Sequence, residues 1–323
     1  MLLPLVGVCG SVPGKSPGKV PGKVPRNYPS MTEAYKKAAR QLKVPSGLQV
    51  ASGPNGSSIS FQCTHFAEGR FRYAHKGIKW AQQWTTSWNS TPKFEKLCVV
   101  KKMKSGAVFI PTAWDCTLKI YDRARTLAQQ FKKEVDFPVN LHFTDVSRYT
   151  VDCGLFMQPE YVVAEDYLQG KFLKWCSNYG YISPEAKSDD AIMPAFVHWS
   201  WVHTKGQEMV CDLQGTRDEN GYYLTDPVIL SLNNKYGETD VGIEGMAMFF
   251  MNHKCNDICK RWRRPRSESF KGKISRETLA ACKHMQDDVN NGTSFTSDMK
   301  FTQTIKDIVK KVFLRIAEAQ ELS

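Results

Sequence analysis

Three soft donors fall within seven residues in His253-Lys254-Cys255-Asn256-Asp257-Ile258-Cys259. A thiolate pair with one imidazole suits zinc, which takes four N/S donors in a tetrahedron. Only three are local, so a distant segment must fold back to supply the fourth. His198 and His203, in AFVHWSWVH, are the candidates. The four-residue spacing of Cys255 and Cys259 predicts one shared helical face. The competing reading is a pair of buried free thiols beside a surface histidine. A closed four-donor site is structural rather than catalytic. The ten cysteines are scattered through 323 residues. A chain of this length does not depend on disulfides for a core, so reduced thiols and a cytoplasmic location are expected.

Hydrophobic residues make up 41% of the chain, with eight Trp and seventeen Phe. That supports a sizeable core and excludes wholesale disorder. The longest apolar runs, at the N-terminus and at 245–251, fall far short of the ~20 residues of a membrane span. MLLPLVGVCG has no basic residue before Lys15 and is interrupted by Pro4 and Gly7, so it is not read as a signal peptide. The net charge is +12; Lys15, Lys19, Lys23 and Arg26 precede the first acid, Glu33, and removing them leaves +8. Such a surface attracts phosphates of nucleic acid, lipid or nucleotide alike.

PGK recurs at 13, 17 and 21. Pro and Gly at that density bury little, so residues 1–45 are read as a disordered basic tail, with a short polar helix over 32–43. A Ser/Gly-rich loop is expected over 45–58. FQCTHFAEGRFRYAHKGIKW predicts two strands about a turn at Glu68-Gly69, and KLCVVKKM a compact strand. Trp114, Leu118, Tyr121, Ala124, Ala128, Phe131 and Val135 form one apolar stripe, which predicts a helix over 114–135. A strand opens YVVAEDYLQGKFLKW. Asn220-Gly221 predicts a hairpin turn within CDLQGTRDENGYYLTDP. A helix is expected over 242–251, and an amphipathic one through Ile305, Ile308, Val312 and Phe313. Front-loaded strands mixed with helices argue α+β.

The hairpin carries the most suggestive polar set. Asp212 and Gln214, two apart on a strand, would point to one side. With Asn220-Gly221 as the turn, Asp226 would lie opposite Gly215 and beside Gln214. Two carboxylates and an amide oxygen suit a hard cation such as Mg²⁺, although Asp-Pro and Asp near Gly are also ordinary turn chemistry. Lys101 ends the apolar run 97–100, where an unpaired lysine is costly and a phosphate or carboxylate is a natural partner. A snorkelling edge lysine is the plainer reading. Gly237, Gly242 and Gly245 precede a helix and could turn amides toward an anion, but neither the dinucleotide fingerprint nor the P-loop pattern is matched.

Together FAEGRFRYAHKG, VVKKMKSG, VAEDYLQGKFLKW, AFVHWSWVHTKG, CDLQGTRDENGYYLTDP and YGETDVGIEGMAMFFMNHKCNDIC, in order over 61–264, resemble the alpha-kinases, a family of atypical protein kinases. The resemblance implies a two-lobed kinase-like α+β fold with a structural zinc in the C-lobe. The implied domain spans 55–265, with an N-lobe to about 164, a hinge at 165–168, a C-lobe over 169–265 and a C-terminal extension over 266–323. It implies an enzyme transferring the γ-phosphoryl group of Mg-ATP to a Ser or Thr of a protein substrate. Lys101 matches the phosphate-contacting lysine, with Lys102 as fallback. Arg72 and Gly69 match the N-lobe segment near the phosphates. Glu165 matches the hinge acid, and Leu168 lies where adenine is read. Lys174 and Asn178 match polar cleft positions, and Gly237 and Gly242 the glycine-rich loop. Asp212 matches the catalytic carboxylate, and Gln214 with Asp226 the magnesium pair. His198, His253, Cys255 and Cys259 match the zinc ligands, which selects His198 over His203.

Two features depart from the family pattern. Thr239 and Asp240 stand where a Gly and an Asn are usual, which would place an acid near the γ-phosphate, and the connection from DLQG to TDP is longer than the usual family loop by a few residues about 218–222. The alternative function is a catalytically silent, zinc-stabilised module binding RNA or a protein. It is disfavoured because Lys101, Asp212, Gln214 and Asp226 are all retained; nucleic acid is therefore not the expected partner. A regulator on the basic C-terminal helix is a further candidate partner.

Overall fold

The run LCVVK alternates, and its two faces meet different environments. Cys98 and Val100 are buried in one core cluster with Ile59, Phe61, Val162 and Ala164, while Lys101 looks the other way. A computed structural model describes residues 48–266 apart from 70, 83–91, 105, 136, 152 and 154–156. The expected tail, the helix over 32–43 and the C-terminal amphipathic helix lie outside the described residues.

The strands β1 (Leu48–Ser52), β2 (Ser58–Gln62), β3 (Ala67–Glu68), β4 (Arg72–Gln82), β5 (Pro92–Met103), β7 (Val146–Val151) and β8 (Glu160–Asp166) form a seven-stranded sheet ordered β2-β1-β7-β8-β5-β4-β3. An additional β2–β4 pairing curls it into a barrel. The loop expected over 45–58 is instead β1 and a 3-10 turn at Pro54–Gly56. Its Gly/Ser texture hides a strand that pairs with both β2 and β7. The turn at Glu68-Gly69 forms as expected, closed by the Gly69 N–H donating to the Arg72 carbonyl at 2.9 Å.

The helix α1 (Asp115–Glu134) fulfils the expected stripe, with Trp114, Tyr121, Ala124, Ala128 and Phe131 buried. Ile120 and Leu127 are buried too, because α1 is covered on more than one side and its apolar arc is wider than a single row. Phe131 meets Phe196 and Trp199 edge-on at centroid distances of 5.2 and 5.3 Å.

Two smaller sheets follow. One is ordered β6 (Asn140–Phe143), β12 (Gly221–Thr225), β11 (Gln214–Arg217), β9 (Leu173–Lys174); the other pairs β10 (Glu208–Cys211) with β13 (Val228–Ser231). Around them lie α2 (Pro184–Lys187), α3 (Ile192–His203) and α4 (Gly242–Asn252). β6 runs parallel to β12, and the apolar face of α1 belongs to the same core cluster as Phe196, Leu224 and Phe249. The packing boundary therefore does not follow the expected sequence boundary at 164: α1 and β6 precede it but pack with the C-terminal half. No described helix is long and apolar enough to cross a membrane.

Candidate active site and metal centre

β5 and β8 set the centre of the site. Lys101 pairs across from Val163, which makes Glu165 its diagonal neighbour on the same face. Lys101 Nζ lies 2.5 Å from Glu165 Oε1 and 2.6 Å from Asp226 Oδ1, and its side chain is 8% exposed. Tyr121 of α1 donates its hydroxyl to Glu165 Oε2 at 2.5 Å and accepts the Asp226 N–H at 2.9 Å. Thr144 and Thr225 also donate to Glu165 Oε2, at 2.9 and 2.6 Å. Burial works against the Lys101 charge, but Asp226 and Glu165 outweigh it and hold the ammonium well above its ordinary range. Burial would raise the Asp226 carboxyl, yet Lys101 and Arg72 bring it below the usual carboxylate value.

Glu165 differs from its expected place. Its carboxylate is 4% exposed and turned to Lys101, so the side chain is the partner of the buried lysine rather than a group presented at a hinge. The strand alternation that buries Val163 on that face dictates this. Lys102, the fallback, points to the opposite face and pairs with Glu160 at 2.5 Å. Arg72 opens β4, donates to Thr117 Oγ1 at 2.9 Å, lies 3.5 Å from Asp226 Oδ1 and sits over the Trp114 ring.

A second polar group borders the first. Lys174 Nζ is 2.6 Å from Asp212 Oδ1, and Gln214 Nε2 donates to Asp212 Oδ2 at 3.1 Å. Gln214 pairs with Lys174 on one side and with Thr225, next to Asp226, on the other. The Lys174 charge also lowers Asp226, which ties the two groups together. Asp212 does not lie in a strand beside Gln214, as its spacing predicted. It sits between β10 and β11 with φ 57, and Asp226 has φ 49. Left-handed backbone at two non-glycine residues is held by the surrounding structure and is typical of functional positions.

The hairpin register also differs by two residues. Gln214 faces Thr225 and Gly215 faces Leu224, so Asp226 is not opposite Gly215. Asp218 Oδ1 accepts the N–H groups of Asn220 and Gly221 at 2.8 and 3.1 Å, which moves the two-residue turn to 219–220. Gly221 is required elsewhere, since a Cβ there would lie 2.5 Å from the Asn140 carbonyl oxygen.

The remaining candidates fall around this centre. Asn178 donates to the Thr239 carbonyl at 3.1 Å. Gly237, with φ 78, lies against Cys116, the neighbour of Thr117, and Gly242 begins α4 with φ 59. Gly69 lies in an exposed turn before β4, and Leu168 is half-buried just past β8; among the described contacts neither joins the charge network. Asp240 does not present a charge to the cleft. It is fully buried, accepting the N–H groups of Ser231, Tyr236 and Gly242 at 2.8, 3.2 and 3.0 Å and the Ser231 hydroxyl.

The second constellation lies where α4 ends. His198 of α3 with His253, Cys255 and Cys259 places four ligand atoms within 4.8 Å of one another. His203 is excluded because its Nδ1 pairs with Glu134 at 3.1 Å. Cys259 lies in a turn after α4 and Cys255 in the irregular stretch before that turn, not on a helix as their spacing predicted; His253 caps α4 with extended backbone. His198 Nε2 lies 2.8 Å from the Arg263 carbonyl, so a proton held there leaves Nδ1, 3.7 Å from Cys255 Sγ, as a donor atom. Burial lowers both imidazoles, His253 to about 3, and pushes the Cys259 thiol up to about 12. Neutral imidazoles and desolvated sulfurs suit a soft cation, which would also deprotonate the thiols.

Comparison with known proteins decides the lineage. The profile of the Alpha-kinase family matches residues 67–259. The chain belongs to the alpha-kinase family. Alpha-protein kinase vwkA of Dictyostelium discoideum is 36% identical over 143 residues, 43% of this chain and 22% of that protein. Eukaryotic elongation factor 2 kinase of Caenorhabditis elegans is 38% identical over 97 residues, 30% of this chain and 12% of that protein. The chain thus spans under a quarter of either relative. Among solved structures, an alpha kinase from Entamoeba histolytica superposes with TM-score 0.53 at 24% identity, covering 68% of this chain and 91% of that one. The alpha-kinase domain of myosin heavy chain kinase A, solved with ATP, gives 0.52 at 19%, covering 67% and 96%. These likenesses show an alpha-kinase fold.

Within this alpha-kinase domain, Tyr121, Thr144 and Thr225 are site residues that sequence reasoning missed. Tyr121 counted only as a member of an apolar stripe, because helical spacing reports which face is covered and not where a hydroxyl ends.

Proposed function

We propose that the chain is a protein serine/threonine kinase that transfers the γ-phosphoryl group of Mg-ATP to a protein hydroxyl. The observation that carries this reading is the buried Lys101 held between Glu165 and Asp226 beside the Asp212–Gln214–Lys174 group. Phosphoryl transfer asks a protein for positioning and charge neutralisation, and this set supplies cations, metal-binding oxygens and a base. Mg-ATP, when bound, brings the transferable phosphoryl group and a divalent charge over its phosphates. Lys101 and Arg72 would contact phosphate oxygens, and Gln214 and Asp226 would hold the magnesium. Asp212, oriented by Lys174 and Gln214, would accept the proton of the attacking hydroxyl as its oxygen bonds phosphorus and the bond to ADP breaks.

The His198–His253–Cys255–Cys259 cluster would hold zinc. The fit rests on its donor set and on His253, whose buried Nδ1 has no hydrogen-bond partner among the described residues. Four protein donors leave no open position, so the ion would brace the C-terminal half and take no part in transfer.

Incubation of the full chain with γ-labelled ATP, magnesium and a mixture of candidate proteins, followed by phosphoamino-acid analysis, tests the reading. Label on phosphoserine or phosphothreonine, lost in Asp212→Ala, is expected. Absent transfer, with RNA affinity falling steeply as salt rises, would instead favour the binding-module function.

A further inference from the structure

The glycine-bearing loop at 232–241 is gripped by two buried carboxylates, only one of which belongs to it. From inside, Asp240 gathers the Ser231, Tyr236 and Gly242 amides, while Asn234 Nδ2 donates to the Asp240 carbonyl at 2.8 Å. This fixes the shape of the loop and ties it to Ser231 at the end of β13, while Asn178 holds the Thr239 carbonyl. The tie to α1 comes from Glu208 on β10, whose side chain is 7% exposed. Its Oε1 lies 2.8 Å from Lys235 Nζ and accepts the Tyr236 hydroxyl at 2.7 Å, and its Oε2 accepts from Arg123 Nε at 2.7 Å. Glu208 is itself fixed, since Thr204 Oγ1 accepts its N–H at 3.0 Å and donates to its carbonyl at 2.7 Å.

The three partners of Glu208 come from the two elements that a nucleotide-binding cleft must keep in register. Lys235 and Tyr236 immediately precede Gly237 in the loop. Arg123 lies on α1, two residues beyond Tyr121, whose hydroxyl bonds Glu165 and Asp226. Thr117 of the same helix receives Arg72. A rigid helix therefore connects Glu208 to the Lys101 centre, while its other oxygen holds the loop.

We infer that Glu208 is a positioning residue which locks the glycine-bearing loop to α1 and so sets how tightly the nucleotide phosphates are held. The inference rests on the kinase reading for its ligand, but the clamp itself is testable without one. Glu208 touches no reacting atom in this scheme, so its loss acts on nucleotide affinity rather than on the transfer step. Arg123 and Lys235 are partly exposed, at 34% and 48% of their side chains, so both can reach water when the carboxylate is removed.

The test compares the full chain with Glu208→Gln and with the double variant Lys235→Met/Tyr236→Phe, which leaves β10 intact should the first fold poorly. Hydrogen exchange of the loop amides is measured without nucleotide, and ATP KM and kcat are measured with a labelled protein acceptor. Faster exchange in residues 232–241 is expected, with a KM raised about tenfold and kcat changed far less. That is smaller than the roughly hundredfold loss a 1 Å misplacement of reacting groups can cause. Unchanged loop exchange, or an equal fall in kcat with KM constant, overturns the inference. Wild-type chain that takes up no nucleotide contradicts the kinase reading instead, and the exchange result still decides whether Glu208 holds the loop.

Discussion

Lys101 bridges the Glu165 and Asp226 carboxylates, and these neighbours set its chemistry. Removing it leaves the Glu165 carboxylate buried without a cation, which costs about 3–5 kcal/mol for a desolvated charge. Lys101→Ala is expected to lower the thermal midpoint and to reduce transfer by a factor of about 10²–10³. Lys102→Ala, on the opposite face with Glu160, is expected to leave transfer unchanged; an equal loss in both variants would contradict the assignment. The pH window follows from the directions of shift. Asp226 is depressed, so its stabilisation is complete above about pH 4 and fades as acid reaches its folded value. Lys101 is raised, so its contribution is complete below about pH 10 and fades as base reaches its folded value. The pair is therefore expected to persist throughout neutral pH, with stability lost at the extremes. At this scale the sequence was partly legible. The spacing put Asp212, Gln214 and Asp226 near one another, and in the fold Gln214 bonds Asp212 and pairs with Thr225, next to Asp226. The left-handed backbone at both aspartates was invisible, because φ is imposed by tertiary packing. Asp240 was misplaced for a related reason: proximity to glycines does not say whether a carboxylate faces the cleft or folds back onto its own loop.

Among elements, α1 and the β11–β12 hairpin bring their side chains to the β5–β8 centre of the candidate site. The α1 stripe was readable because helical burial repeats along the chain. Its partner was not, since Phe131 meets Phe196 and Trp199 more than sixty residues away. Phe131→Ala is expected to cost about 3–5 kcal/mol, measured as a shift in denaturant midpoint without change in slope. The hairpin was found in the right place with its turn one residue early. Asn-Gly is a strong local signal, but Asp218 outcompetes it by accepting two amides. Gly215 is the critical glycine of the hairpin: with φ 151, a Cβ there would lie 1.9 Å from the Tyr223 carbonyl oxygen. Gly215→Ala is expected to separate β11 from β12 and abolish transfer by displacing Gln214 from Thr225. Wild-type activity in that variant would refute the register.

For the whole molecule, the barrel and the C-terminal half are joined by charge at Lys101–Asp226 and by packing through α1 and β6. The His/Cys cluster lies at the end of α4, which itself starts where the glycine-bearing loop stops. Chelation with 1,10-phenanthroline is expected to release about one zinc per chain and lower the thermal midpoint; no bound zinc would contradict the assignment. Acid acts on the same centre. Without the ion, burial holds His253 near 3 against about 6.5 when unfolded. The unfolded chain therefore binds the extra proton first, and stability is expected to fall as pH drops from about 6.5 toward 3, by at most about 1.4 kcal/mol per unit. The motif in 253–259 made this centre legible, whereas the choice between His198 and His203 needed the family resemblance and, in the fold, the pairing of His203 with Glu134.

Lys101, Asp212, Gln214 and Asp226 are proposed to act on one magnesium-bound nucleotide. Titrating ATP into the full chain by calorimetry, with and without magnesium, and into Asp226→Asn tests it most directly. One ATP per chain is expected, tightened by magnesium, with the magnesium effect lost in Asp226→Asn although the variant stays folded. Binding that is absent in the wild type, or equally magnesium-dependent in the variant, would contradict it.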